Sequence, residues 1–337
     1  MTDLCIYGAG SIGGYVGGRL AAGGSRVHFV ARPRIASELR AHGLHLTDYR
    51  GADLRVPAAQ VQVDTKPEGA REASLVLVTV KSAATADAAR ELARVLPPRA
   101  VVISFQNGLH NAEVLREFLP GRTVLTGMVP FNVVHRGEGR FHQGSQGELE
   151  VERHAALPPF LPAFAAAGLP LLQHADMPAV LWGKLLLNLN NCINALSGLP
   201  LRDELSQRAF RRCLALAQRE LLELLAQAGI RPAQLTALPP RWLPRMLSVP
   251  DFLFRRLANR MLAIDPLARS SMWEDLEAGR KTEIDWLNGE VVRLAQKIGR
   301  PAPVNGRLIA LVRKAETGGR RDWSGVELLR ELRQAAG

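Results

Sequence analysis

LCIYGAGSIGGYVGGRLAAGGSRVHFVAR, residues 4–32, joins an apolar run, a glycine cluster, a helical stretch and a second apolar run. The short run LCIYG has the look of a strand buried on both faces. The spacing predicts a helix to about Ala22 and a second strand over 26–32. Gly8, Gly10 and Gly13 form a Gly-x-Gly-x-x-Gly turn, with Ala9, Ser11 and Ile12 between them. A strand, that turn and a helix in succession are what a dinucleotide-binding unit needs. The first glycine makes the tight turn, and the second lets backbone approach a pyrophosphate. The third lets helix and strand pack closely, while the helix N-terminus faces the phosphates.

Working outward, the strand-then-helix pattern repeats. LVLVTVKS (75–82), VVISFQNG ending at Gly108, and VLTGMV (124–129) read as further strands. Strands separated by helices imply a doubly wound, mostly parallel sheet in an α/β domain. GLHLTDYRGADLRVP (43–57) alternates like a hairpin, and so does the stretch from Phe141 to Val151. In such sheets ligands bind at the carboxyl edge, which marks Lys81 and Asn107 as candidates for holding a cofactor.

The end of the second strand bears on which dinucleotide. An acid about 20 residues past the glycines would bond a ribose 2′-hydroxyl. RVHFVARPR has no acid; Arg32 stands there, with Arg34 nearby. A guanidinium fork suits a 2′-phosphate, so the expected cofactor is NADP(H). The competing reading is two surface arginines in an arginine-rich chain.

From about Asp176 the strand pattern stops. Helical spacing covers 178–196, 204–228, 271–298, 303–316 and 324–335, giving an all-helical C-terminal domain. The expected domains are 1–175, binding NADP(H), and 176–337, carrying substrate and catalysis. The proline-punctuated 238–252 reads as a long loop, a candidate site rim or oligomer contact. Within LWGKLLLNLNNCINALSG (181–198), Lys184, Asn188 and Asn191 line up on one face. A lysine and two amides there could hold and protonate a carbonyl oxygen; a snorkelling lysine with core-bonding asparagines is the alternative. In SSMWEDLEAGRKTEIDWLNG (270–289), Ser271 and Glu274 fit a capping box, and Glu283 falls on the stripe of Leu276, Leu287, Leu294 and Ile298. A carboxylate on an apolar stripe wants a partner, and Lys184 would serve.

Composition narrows the partners. The 337 residues are 47% hydrophobic and carry a net charge of +11, with only 5% aromatic residues. No basic stripe with interleaved aromatics accompanies that charge, so neither nucleic acid nor membrane is expected as a partner. Cys5, Cys192 and Cys213 have no metal or CxxC spacing, so no metal is expected. Reduced thiols and the absence of a leader-like or membrane-spanning run point to a cytoplasmic protein.

The chain resembles the ketopantoate reductases (2-dehydropantoate 2-reductases). GAGSIGG, the arginine after the second strand, VKS, QNG, WGKLLLN, SSMWEDLEAGRKTEID and PVNGRLIALV carry the likeness. The resemblance implies a Rossmann-type domain followed by a helical domain. It also implies NADPH-dependent reduction of 2-dehydropantoate to (R)-pantoate, for pantothenate and coenzyme A synthesis. By position, Lys184 would donate the proton, while Asn188 and Ser271 would contact substrate. Glu283 would act at the lysine and at substrate or cofactor hydroxyls. Gly8 to Gly13, Arg32, Lys81 and Asn107 would hold NADPH, with Asn107 also touching substrate. Two positions depart from the pattern. Cys192 lies where the family often has asparagine, so Asn191 or Asn194 would replace it. Ala268 likewise stands where an asparagine often precedes the substrate serine. Another branched 2-keto acid on the same scaffold, or NADP(H) sensing without catalysis, are the alternatives. The expected partners are therefore a small 2-keto acid and at most a second copy in a homodimer.

Overall fold

Alternate residues of the first strand face two different cores. In β1 (Asp3–Tyr7), Leu4 and Ile6 join one buried cluster, whereas Cys5 and Tyr7 join the other. A strand buried on both faces belongs inside a sheet covered by helices on each side. The structure is a computed structural model describing residues 3–257 and 268–337. Two compact units divide it, 1–177 and 178–337.

In the first unit, α1 (Ser11–Ala22) leads from β1 to β2 (Arg26–Val30), and α2 (Pro33–His42) follows. β3 (Leu44–Asp48), β4 (Asp53–Val56), β5 (Gln62–Asp64) and β6 (Leu75–Val78) come next. Then α3 (Thr85–Val95), β7 (Val101–Ser104), α4 (Asn111–Phe118) and β8 (Thr123–Met128) alternate. β5-β2-β1-β6-β7-β8 are parallel neighbours. Numbered among themselves, these six strands run 3-2-1-4-5-6, the order of doubly wound dinucleotide-binding sheets, whose switch point lies between β1 and β6.

β9 (Val133–His135), β10 (Arg140–Gln143), β11 (Leu149–Glu152), α5 (Leu161–Ala166) and β12 (Leu171–His174) complete the unit. The expected 43–57 hairpin is present as β3 and β4. The expected hairpin over 141–151 is not. β10 pairs with β9 and β3 in a small second sheet, while β11 pairs with β8 and β12 in the main one. Alternation showed that both segments were strands, but three successive buried residues in β11 place it in a covered sheet.

Among the described residues, the second unit is helical throughout. α6 (Met177–Asn188) and α7 (Asn190–Ser197) are separated by one residue, Leu189. The expected 204–228 helix is a short helix, Leu201–Ser206, followed by a longer one, Arg208–Gln227. Over 238–252 the chain forms a short turn at Pro240–Trp242 and a helix at Leu243–Leu247. Arg211, fully buried, anchors this segment. Its guanidinium bonds the carbonyls of Leu205, Ser206, Leu247 and Val249, pairs with Asp251 at 2.8 Å, and lies over the Phe254 ring.

The continuous helix expected over 271–298 is broken into Ser271–Glu277 and Asn288–Lys297, with a single turn at Ile284–Trp286. Gly279 at φ +63° ends the first piece. Arg280 N–H donates to the Asp275 carbonyl at 2.8 Å, the six-to-one bond of a Schellman cap. Glu283 therefore does not ride on a helical stripe with Leu276, Leu287, Leu294 and Ile298. It is buried where the chain enters the turn, outside both helices. Gly279 followed by Arg280 and Lys281 was the overlooked stop signal.

Candidate active site

The candidate cofactor residues of the first unit lie just past the carboxyl ends of β1, β2, β6 and β7. Each glycine of the turn has a distinct surrounding. Gly8 sits at φ +107°, and a Cβ there would meet Val80 Cγ1 at 2.6 Å. At Gly13 a Cβ would lie 2.4 Å from Thr79 Oγ1 and 2.5 Å from the Gly8 carbonyl oxygen, so only glycine lets α1 approach β1 this closely. Around Gly10, by contrast, a Cβ would meet nothing within 4 Å, which leaves open room beside this backbone.

Gly14 N–H donates the first helical bond, to the Gly10 carbonyl at 2.7 Å. The amides of Ser11, Ile12 and Gly13 thus precede the hydrogen-bonded part of α1, where an anion is stabilised by N–H groups and dipole. The Gly8 and Ala9 amides both donate to the Val30 carbonyl, tying the turn to the end of β2. Arg32 lies two residues further, at the start of α2. It is exposed and makes no hydrogen bond or ion pair among the described residues, whereas Arg34 faces Glu38 at 3.7 Å.

Sequence reasoning missed the polar network beneath Lys81 and Asn107. Thr79 Oγ1 donates to the Gly8 carbonyl at 2.8 Å, clasping the glycine turn to the end of β6. Ser82 Oγ and Asn111 Nδ2 both donate to the Asn107 carbonyl, at 2.7 and 2.5 Å. Thr85 Oγ1 accepts from Gln106 Nε2 and bonds Asn111 Oδ1, each at 2.7 Å, and Gln106 also reaches the Val80 carbonyl at 3.0 Å. Ser82, Thr85, Gln106 and Asn111 are all buried. A fully bonded polar cluster of this kind holds its loops in one conformation, here the two that carry Lys81 and Asn107. The available signal was the polar residues S, T, Q and N clustered just after two apolar strands.

In the second unit, Lys184 and Asn188 lie on α6 and Asn191 on α7, and all three are half-buried. The side-chain amide of Asn191 makes no hydrogen bond among the described residues. Asn194 is different. Fully buried, it donates to the Leu199 carbonyl at 3.0 Å and to Glu204 Oε2 at 2.8 Å, and its oxygen accepts from the Ser270 amide at 2.9 Å. All of its bonding groups are engaged inside the fold, so of the two asparagines Asn191 is the one left with capacity for a ligand. Cys192 is buried as well; its thiol donates to the Leu189 carbonyl, and burial pushes its pKa up to about 12.

The expected cap at Ser271 is corrected by one residue. Ser270 is the N-cap, its Oγ accepting from the Trp273 amide at 3.2 Å. Ser271 is the first helical residue, exposed, with no side-chain hydrogen bond among the described residues. The chain from Ala268 to Ser270 is stitched to α7 and the loop after it. The Ala268 carbonyl accepts from Leu201, Arg269 reaches the Gly198 carbonyl, and Ser270 Oγ donates to the Asn191 carbonyl at 3.1 Å. Next to Glu283, Thr282 is held through both N–H and Oγ1 by Glu316, each at 2.7 Å. PVNGR serves the scaffold: Glu220 caps its helix at the Val304 and Asn305 amides, and Asn305 Oδ1 accepts from Asn288.

Among the described residues, no group of three or more His, Cys, Asp or Glu could hold a metal ion, and no helix is long and apolar enough to cross a membrane. Two family models match the chain: "Ketopantoate reductase PanE/ApbA" over residues 4–156 and its C-terminal counterpart over 176–316. A 2-dehydropantoate 2-reductase of Halobacterium salinarum is 31% identical, over 94% of this chain and 99% of its own. The crystal structure of a PanE/ApbA family ketopantoate reductase from Ralstonia eutropha JMP134 superposes with a TM-score of 0.79. It is 31% identical and covers 94% of this chain and 99% of that one. D-mandelate dehydrogenase, solved with NADH and anilino(oxo)acetate, shares the fold at a TM-score of 0.77 with 17% identity, covering 94% of this chain and 99% of its own.

Proposed function

The chain belongs to the ketopantoate reductase family, and from that premise we propose that it reduces 2-dehydropantoate to (R)-pantoate with NADPH. What carries the reading is the division of polar groups into committed and available ones. Asn194, Ser270, Asn305, Gln106 and Thr79 are engaged within the scaffold. Arg32, Asn191 and Ser271 present polar ends with no partner among the described residues, which leaves them able to take a cofactor phosphate and a keto acid.

The residues fit a dinucleotide. The open side of Gly10 and the amides of Ser11, Ile12 and Gly13 would take the pyrophosphate. Arg32 would grip a 2′-phosphate, and Lys81 and Asn107 would border the remainder. When bound, the nicotinamide supplies a hydride. The chain's own part is orientation and a proton. Lys184 Nζ gives its proton to the ketone oxygen as charge develops there, with Glu283 holding the ammonium in place. Asn188 and Asn191 fix that oxygen and its neighbours, and Ser271 Oγ binds the carboxylate. On this reading 1–175 is the cofactor-binding domain and 176–337 the substrate domain.

A fold shared with a mandelate dehydrogenase does not select the substrate, and Cys192 and Ala268 alter positions the resemblance places in its pocket. The test is NADPH oxidation with 2-dehydropantoate set against a panel of other 2-oxo acids. Highest kcat/KM with 2-dehydropantoate supports the proposal. A clear preference for another branched acid moves the substrate but keeps the reaction, and no oxidation with any of them rejects both.

A further inference from the structure

Glu204 plays no part in the reaction above, yet its surroundings are those of a selected group. It is fully buried on the Leu201–Ser206 helix, and the partners of its carboxyl are two amides. Asn194 Nδ2 donates to Oε2 at 2.8 Å, and Asn190 Nδ2 donates to the same oxygen at 3.3 Å. Within this group, one buried atom of each of two partners is left without a hydrogen bond among the described residues: Glu204 Oε1 and Asn190 Oδ1. An ionised carboxylate only accepts, so it could never satisfy the second of these. A carboxylic acid facing a primary amide closes a two-bonded ring, N–H to one oxygen and O–H to the amide oxygen. The first bond is present, and the two orphaned atoms are the pair the second would join.

We propose that Glu204 is a positioning residue held as a neutral acid, donating from Oε1 to Asn190 Oδ1 and locking α7 to the N-cap that precedes Ser271. The lock is continuous: Glu204 holds Asn194, Asn194 Oδ1 holds the Ser270 amide, and Ser270 Oγ holds the Asn191 carbonyl. It thereby sets Asn191 and Ser271, and so rests on the reading that these two face the keto acid.

The electrostatic setting agrees. Burial pushes the Glu204 pKa up to about 8, against the lowering effect of the two amide bonds. Facing groups add no countercharge. Cys192 on α7 and Cys213 on the Arg208–Gln227 helix are thiols whose pKa values burial raises. Arg211 on that same helix is paired with Asp251 and spends its other donors on carbonyls. A carboxyl whose folded pKa lies above its unfolded value binds its proton more tightly when folded. Stability is therefore fully present below the unfolded pKa, about 4.5, and is lost as pH rises toward about 8.

The experiment compares wild type, Glu204→Gln and Glu204→Ala as full-length proteins. Thermal melts without ligand, from pH 5 to pH 9, should show wild type losing Tm relative to Glu204→Gln as pH rises. An infrared difference spectrum between the two at pH 6 should contain a protonated-carboxyl band. Glutamine keeps an acceptor oxygen for Asn194 and Asn190 and places an NH2 donor where the acid O–H would point, in the same shape, so Glu204→Gln should keep its KM for the keto acid. Glu204→Ala should raise that KM about tenfold with the KM for NADPH unchanged, as expected for a lost buried hydrogen bond. Parallel melting curves for wild type and Glu204→Gln, no carboxyl band, or Glu204→Gln as impaired as Glu204→Ala would each overturn the proposal. Should Glu204→Ala not fold, the melts and the spectrum decide. Neither uses substrate, so they report on Glu204 even if the keto-acid reading fails.

Discussion

The glycine turn of the first unit and the 268–283 stretch of the second both carry candidate ligand-binding residues, but they are built in opposite ways. At the turn itself, the amides of Ser11, Ile12 and Gly13 lie within a few residues of Gly8, and the backbone supplies both them and the Gly8 conformation. Along 268–283, position is borrowed. Ser270 is set by Asn191 and Asn194, and Thr282 by Glu316. A site written into contiguous backbone should tolerate change in distant side chains, whereas a borrowed one should not.

That contrast can be broken at several points. The largest expected effect is at Lys184. General acid catalysis contributes about 10²–10⁴-fold, so Lys184→Ala should lose turnover on that scale while NADPH binding survives. Normal turnover by this variant, measured by NADPH oxidation, would remove the proton-donor role. Next is Arg32→Asp, where losing a charge-assisted contact and placing a carboxylate beside a phosphate should weaken NADPH about 10–100-fold. NADH binding should hardly change, and equal losses in titrations with both cofactors would reject the 2′-phosphate contact.

The finest test sits within the turn. Gly13→Ala brings a Cβ to 2.4–2.5 Å from Thr79 and the Gly8 carbonyl, and should cost about 1–3 kcal/mol of stability in denaturant unfolding. Gly10→Ala meets nothing within 4 Å, so its unfolding midpoint should stay close to wild type. Its penalty should appear only as weaker NADPH binding. A large stability loss at Gly10 would show that the open side is not reserved for a ligand.

Much of the first unit was legible because a doubly wound sheet is an arrangement of local patterns. An apolar run, a glycine turn and a helix each declare themselves over five to fifteen residues. The misassigned pairing at 141–151 shows the limit: alternation marks a strand but not its neighbour, and β10 and β11 joined different sheets. In the second unit, helical spacing found the helices, but the helix expected over 178–196 is interrupted at Leu189, which puts Lys184 and Asn188 on one helix and Asn191 on the next. It also carried one helix across 271–298, because Glu283 happened to match a stripe that Gly279 had already ended.

The amino-acid sequence by itself determined the fold class, the glycine turn, the arginine after the second strand and the lysine-bearing helix. Each of these depends on a residue's own conformational range or on periodicity along a single element. Tertiary structure alone decided that Asn194 is committed and Asn191 is not, that Ser270 rather than Ser271 caps its helix, and that Glu204 is buried against two amides. Apart from the bond of the Ser270 cap to Trp273, those outcomes turn on which polar partner arrives from 10 to about 80 residues away. Hydrogen-bond satisfaction in a buried place is a property of the assembled neighbourhood, which no local pattern encodes.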